Sequence, residues 1–302
     1  MRFLITGAAG FAGTYLGDHL KGLGHEVVAW DMVCPGGVEV DVCDREAVLA
    51  QAEVARPDGI FHLAAIAFVP TAAANPEAVM RVNVEGTKHI LEAAGLVGAR
   101  TLFVSSGTIY GPLPEGVECA DEGMPANPRD PYSVSKARAE EACAEAAQSQ
   151  EVVCVRAFNH TGPGQSPDFV CSDFARQVAR CESGGGDATI RVGDLRAERD
   201  FCDVRDMVGA YRLAWEKGRL GEVYNACSGR AVIVSSILDT LVSMSDLNLK
   251  VEVEEKRLRG GKASRLVGSY DKLRDISGWE PTIALESTLA DLLAYWRESE
   301  AA

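Results

Sequence analysis

The chain has 302 residues, of which 47% are hydrophobic and 25% charged. That composition suits one large globular α/β unit, or one plus a smaller lobe, and excludes disordered and collagen-like classes. With 30 basic against 44 acidic residues the net charge is −14. This argues against a nucleic-acid-binding face but not against an anionic small molecule held by a few arginines and helix N-termini. No apolar run approaches the roughly 18 residues of a membrane span. A strand-like run starts at Met1 and leads straight into a glycine-rich turn, which leaves no room for a signal peptide, so a cytoplasmic protein is expected. The nine cysteines are scattered, without a CxxC pair. They read as reduced, mostly buried thiols, with no metal site expected.

Phe3–Ile5 reads as a buried strand and enters Gly7-Ala-Ala-Gly10-Phe11-Ala12-Gly13; a helix, Thr14–Leu23, leaves it. Glycines here allow a tight turn and close backbone approach, with the helix N-terminus facing a pyrophosphate. The spacing is GxxGxxG, and its strand–turn–helix context points to a dinucleotide site at Gly7, Gly10, Phe11, Ala12 and Gly13. The next strand, Val27–Trp30, ends at Asp31. A carboxylate there can accept both ribose hydroxyls of an adenosine and repels a 2′-phosphate. No Arg or Lys lies between Lys21 and Arg45 to offset it, so NAD(H) is expected over NADP(H). Asp41 and Val42 are candidates for the adenine edge. After a helix over Arg45–Ala55, the strand Gly59–Leu63 runs into Leu63-Ala64-Ala65, where a cofactor backbone can pass.

A helix over Glu77–Ala94 and a strand over Thr101–Val104 lead to Ser105-Ser106. The helix Tyr132–Ala147 then opens with Tyr132 and Lys136 on one face, one turn apart. A phenol with a reference pKa of about 10 is a poor acid–base group at neutral pH. An ammonium beside it is expected to lower that pKa. Ser106, at a strand end, supplies a hydroxyl for the reacting oxygen. After the strand Val152–Val155, loops rich in Gly and Pro and shorter elements follow, closing with a helix over Leu285–Glu298. Apolar strands alternating with helices predict a Rossmann-type doubly wound parallel sheet over 1–156. A smaller, mainly substrate-binding C-terminal lobe is expected over 157–302, with segments near 200–230 returning to the sheet. Ligands are expected at the carboxyl ends of the strands.

Taken together, Gly7–Gly13, Asp31, His62-Leu-Ala-Ala65, Asn83-Val-Glu-Gly-Thr87, Ser105–Gly111, Tyr132–Lys136, Arg156–Pro163, Arg199–Asp206 and Gly278–Pro281 resemble the extended short-chain dehydrogenase/reductase family over nearly the whole chain. The resemblance implies a bound nicotinamide cofactor, a nucleotide-sugar substrate, and Ser106, Tyr132 and Lys136 as the catalytic set. It also implies a homodimer that packs the helices carrying Asn83 and Tyr132 against their mates. Dehydratases of the family carry acidic residues just after the catalytic Ser/Thr, where this chain has Gly107 and Thr108, so 4,6-dehydration is not expected. The segment Asn159–Gln177 is similar to the family's GDP-4-keto-6-deoxy-D-mannose reductases, while Arg259-Gly-Gly-Lys262 departs from their Arg-Pro-x-acid stretch. Expected substrate contacts are Thr108 on the sugar, Asn159 and Arg199 on the diphosphate, and Arg259 on a phosphate. Arg199 could instead pair with Asp200 or Asp203, and Asn83 could be a structural helix residue. The expected activity is reduction of a 4-keto sugar nucleotide by NADH. A 4-epimerase with retained NAD, or a non-catalytic NAD(H)-sensing protein on the same fold, are the alternatives.

Overall fold

The computed structural model describes residues 1–184, 187–254 and 264–301. Its centre is a seven-stranded sheet, all parallel. The strands are β1 (Arg2–Thr6), β2 (Glu26–Asp31), β3 (Val38–Glu39), β4 (Gly59–His62), β5 (Arg100–Ser106), β6 (Val152–Ala157) and a last strand, Val223–Ala226. In space they run Val223–Ala226, β6, β5, β4, β1, β2, β3. The order reverses between β1 and β4, and that switch point places a crevice beyond their carboxyl ends.

The central strands are largely apolar on both sides because each side is covered. Phe3, Ile5, Phe61, Leu102, Val153 and Val155 face one core, shared with α1 (Phe11–Gly22) and the helix Val204–Lys217. Leu4 and Ile60 face a second core with α2 (Arg45–Ala55) and the helix Gly86–Val97. Phe103, Val152 and Cys154 meet the helix Pro131–Ala146 on that same side. The layering is the expected doubly wound α/β architecture.

Two departures from the sequence expectations matter. The helix predicted over Glu77–Ala94 is interrupted: Pro76–Met80 is α-helical, Arg81–Glu85 is a π-turn, and Gly86–Val97 is α-helical again. Beyond Arg156 the elements are not all short. The lobe is built on the helices Val170–Glu182, Val234–Ser243 and Leu285–Ala301, which share a core with Ile190, Val192 and Phe201. The cause is readable in Val170–Glu182, where Cys171, Phe174, Ala175, Val178 and Ala179 are all buried on one helix face. The helix Val204–Lys217 and the strand Val223–Ala226 pack onto the central sheet, the latter parallel to β6.

All nine cysteines are free thiols; Cys119 is exposed, Cys43 and Cys181 half-buried and the rest buried. No helix among the described residues is long and apolar enough to cross a membrane.

Gly59 starts β4 where the Trp215 ring covers it. A Cβ there would sit 2.5 Å from the Trp215 Cζ2 atom and 2.9 Å from the Phe3 ring. Gly59→Ala is therefore expected to destabilise the fold by about 1–3 kcal/mol through overpacking. The reading is a lower urea midpoint with the slope unchanged; an unmoved midpoint would contradict the packing described.

Candidate active site

The chain leaves β1 at Thr6 and turns through Gly7 at a φ of +71°. A Cβ on Gly7 would lie 2.8 Å from the Ala64 amide nitrogen, and one on Gly13 would lie 2.1 Å from the Gly7 carbonyl oxygen. Only glycine allows the turn to press this closely on itself and on the end of β4. Helix α1 starts at Phe11, behind an N-cap, Gly10, that supplies no side-chain acceptor. The amides of Phe11, Ala12 and Gly13 thus face outward at the positive helix end, a setting fit for a pyrophosphate. Asp31 closes β2 beside them. Its Oδ2 accepts from the Ala9 amide at 3.0 Å and its Oδ1 from the Met32 amide at 2.8 Å. Each oxygen retains acceptor capacity for a ribose hydroxyl. Nearby, Asp41 Oδ1 accepts from the Cys43 amide at 2.8 Å, and the carbonyl of buried Val42 takes the His89 Nδ1 proton at 2.9 Å. Leu63, Ala64 and Ala65 are half-buried at the end of β4. The residues present therefore fit a dinucleotide laid across the switch point.

Ser106 ends β5 and caps the 3₁₀ turn Gly107–Tyr110. Its Oγ accepts from the Thr108 amide at 3.2 Å and lies 2.9 Å from the Thr108 hydroxyl. Tyr132 stands in the first turn of the helix Pro131–Ala146, started by Pro131 and a capping box between Asp130 and Ser133. Burial pushes the Tyr132 phenol up to about 12; a hydrogen bond with Ser106 draws it back, and Asp130 raises it further. Ser106 and Tyr132 are therefore neighbours. Lys136 behaves differently from the sequence expectation. Its ammonium donates to the Val104 carbonyl at 2.7 Å and lies 4.8 Å from the Phe103 ring centroid. It is not what sets the phenol. Burial lowers the lysine itself to about 8.

The sequence reading missed a polar thread behind these groups. The Thr6 hydroxyl accepts from the Ala64 amide and so donates to His62 Nδ1 at 2.6 Å. His62 Nε2 then donates to Thr87 Oγ1 at 3.0 Å, and that hydroxyl donates to the Asn83 carbonyl at 2.7 Å. His62 is buried and held neutral, its pKa lowered to about 3 by burial and by the charge of Lys136. The π-turn explains Asn83. Its amide brackets Ile66, accepting from the Ile66 nitrogen at 2.8 Å and donating to its carbonyl at 3.2 Å, and also reaches Ser135 Oγ at 2.9 Å. Ser135 in turn donates to the Tyr132 carbonyl at 2.7 Å. Asn83 thus ties the loop after β4 to the Tyr132 helix. The insertion of one residue per turn in a π-turn marks such sites, but no periodicity in Glu77–Ala94 betrays it.

The expected substrate contacts are less gathered. Thr108 lies against Ser106. Asn159 is half-buried in the short strand Asn159–Thr161. The neighbouring His160 donates from Nδ1 to the Phe158 carbonyl at 3.0 Å and stacks on Phe11, with centroids 6.0 Å apart. This contact, with Tyr15 donating to the Pro163 carbonyl at 2.9 Å, joins the start of α1 to the segment after β6. Arg199 donates to the carbonyls of Glu198 and Ser264, and to Ser264 Oγ. The carboxylates offered as its partners are engaged elsewhere. Asp200 accepts from Ser228, Gly229 and Gly268, and Asp203 from Arg205 and Thr288. Arg259 falls outside the described residues. A Cβ at Gly107 would lie 2.8 Å from the Phe158 ring, so the position that bears an acid in dehydratases has no room for one here without rearrangement.

Asn83→Ala is expected to lower the denaturant midpoint, at a cost of about 1–3 kcal/mol, because it orphans the Ile66 amide inside the protein. A midpoint equal to wild type would remove Asn83 from this role.

Against known proteins, residues 3–227 match the NAD dependent epimerase/dehydratase family. The GDP-6-deoxy-D-mannose reductase of Pseudomonas aeruginosa is 33% identical over 98% of this chain and 97% of its own. The structure of RMD from Pseudomonas aeruginosa complexed with NADPH aligns with a TM-score of 0.90 at 31% identity, covering 99% of both chains. The Thermus thermophilus UDP-glucose 4-epimerase complexed with NAD aligns with a TM-score of 0.87 at 29% identity, covering 98% of this chain and 99% of that one.

Proposed function

The chain belongs to the NAD dependent epimerase/dehydratase family, and on that premise we propose that it reduces the C4 keto group of a nucleotide-linked 4-keto-6-deoxyhexose, with GDP as the favoured nucleotide. The observation that carries the reading is the pairing of Ser106 with a protonated Tyr132 at the sheet edge, without an acidic residue at 107 or 108. Similarity to a GDP-6-deoxy-D-mannose reductase over nearly the full length supports it. Residues 157–302 serve mainly as the substrate lobe in this reading, and a homodimer through the helices of Asn83 and Tyr132 is part of it.

The Gly7–Gly13 turn, Asp31, Asp41, Val42 and the 63–65 segment would hold a nicotinamide dinucleotide, which would supply hydride when bound. The chain's own residues handle the oxygen. Tyr132, with its pKa raised to about 12, carries a proton at neutral pH and gives it to the substrate carbonyl oxygen. Ser106 donates a hydrogen bond to the same oxygen as negative charge grows there. Lys136, which donates to the Val104 carbonyl, would hold a ribose hydroxyl of the nicotinamide dinucleotide and supply positive charge near the phenol. Asn159 and Arg199 face the diphosphate, Arg199 by charge-assisted bonds. Arg259 is assigned to a phosphate from its sequence position alone. Asp31 favours NADH; because a similar structure holds NADPH, kcat/KM is to be compared for both.

The 4-epimerase is retained as a second reading because the same set of groups runs it and an NAD-bound epimerase shares the fold. Epimerisation without net NADH consumption, by protein that purifies with stoichiometric NAD, would favour it.

Tyr132→Phe is expected to lose turnover by about 10²-fold or more while binding NADH as wild type does. Unchanged turnover would reject the catalytic assignment. The reductive kcat is expected to fall as pH rises through about 8, where Lys136 loses its proton. A profile flat to well above that pH would contradict a role for the ammonium.

A further inference from the structure

Ser106 and the Tyr132–Lys136 pair stand on different elements, and beside the Lys136–Val104 hydrogen bond a buried arginine also joins those elements. Arg156, on β6, is 8% exposed. Its Nε donates to Glu140 Oε1 at 3.0 Å and its Nη2 to Glu140 Oε2 at 2.7 Å. Its Nη1 donates to the Tyr110 hydroxyl at 2.9 Å, and its guanidinium lies 4.8 Å from that ring's centroid. Tyr110 is fully buried, and its hydroxyl donates a hydrogen bond to Asn225 Oδ1 at 2.8 Å.

The positions of the two partners give this contact its meaning. Glu140 lies one turn beyond Lys136 on the helix Pro131–Ala146. Tyr110 closes the 3₁₀ turn that Ser106 caps. Arg156 therefore grips the Tyr132 helix with one edge of its fork and the Ser106 turn with the other. A planar, two-point guanidinium–carboxylate contact sets angle as well as distance, which a lysine in the same place does not. A buried ion pair is weak evidence for stability, since apolar replacement of both partners is often neutral. What this one supplies is geometry.

We propose that Arg156 is a positioning residue, holding the Ser106 turn and the Tyr132 helix at the separation that proton delivery to the substrate oxygen requires. The inference rests on the reductase reading and adds to it a residue that acts only through Glu140 and Tyr110. A displacement of about 1 Å at reacting groups can cost about 10²-fold in rate.

The test uses the full chain with NADH and the 4-keto sugar nucleotide. The double variant Glu140→Leu/Arg156→Met removes both charges together, leaving neither buried unpaired. It is expected to keep the wild-type melting temperature and NADH affinity, while kcat falls about 10- to 100-fold with little change in KM. A folded double variant with kcat within about twofold of wild type would overturn the proposal. If that protein does not fold, Tyr110→Phe decides, because it deletes a single hydroxyl. Its kcat must fall at constant KM, and an unchanged kcat overturns the proposal. Tyr132→Phe is run beside them. If it retains full turnover, the catalytic reading itself has failed. If it is inactive while the Arg156 and Tyr110 variants are unimpaired, only the positioning inference has.

Discussion

All strands of the central sheet run in one direction, and the middle strands are buried on both faces. Polar chemistry can therefore collect only where the strands end. The reversal of strand order between β1 and β4 opens that edge into a crevice. The glycine turn follows β1, Asp31 ends β2, Leu63–Ala65 follow β4 and Ser106 ends β5. Side chains remote in sequence thus meet because their strands share one edge. The helix Pro131–Ala146, packed on β5 and β6, brings Tyr132 to the same place.

Hydrogen bonds between buried polar side chains hold those ends together. The Thr6–His62–Thr87–Asn83 thread, the Asn83 grip on Ile66 and the Arg156 fork each join two elements through buried polar atoms. These are high-stakes contacts in a low-dielectric interior. The same burial sets the acid–base character of the site. It disfavours phenolate and ammonium alike, so Tyr132 rises and Lys136 falls. The result is a phenol that carries its proton at neutral pH, as reduction of a carbonyl demands. The lysine sits close enough to neutrality for its charge to depend on pH.

Much of this was readable in the residues. The glycine turn, Asp31 at a strand end, and Tyr132 and Lys136 on one helix face all follow from local rules of spacing and periodicity. What escaped was non-local. The π-turn at Arg81–Glu85 leaves no mark in the pattern of Glu77–Ala94, because its cause, the loop after β4, comes from elsewhere in the chain. Lys136 was expected beside the phenol because spacing fixes the helix face; spacing says nothing of the Val104 carbonyl that takes the ammonium. Tyr110 and Arg156 lie in motifs that carry the resemblance, but their link through Glu140 is visible only in contact. The helix Val170–Glu182 carries a clear apolar face, but the Gly- and Pro-rich loops on either side of it mask that period in the sequence.

The central claim is that the chain transfers hydride outward to a keto sugar and does not return it. Incubation with NADH deuterated at the transferred C4 position and a GDP-linked 4-keto-6-deoxyhexose tests this directly, with the sugar product read by mass spectrometry and proton NMR. The account requires one deuterium at sugar C4 in each product molecule, matched one to one by NADH oxidised. Product formed without label at C4, or sugar isomerised with the NADH unchanged, would contradict it.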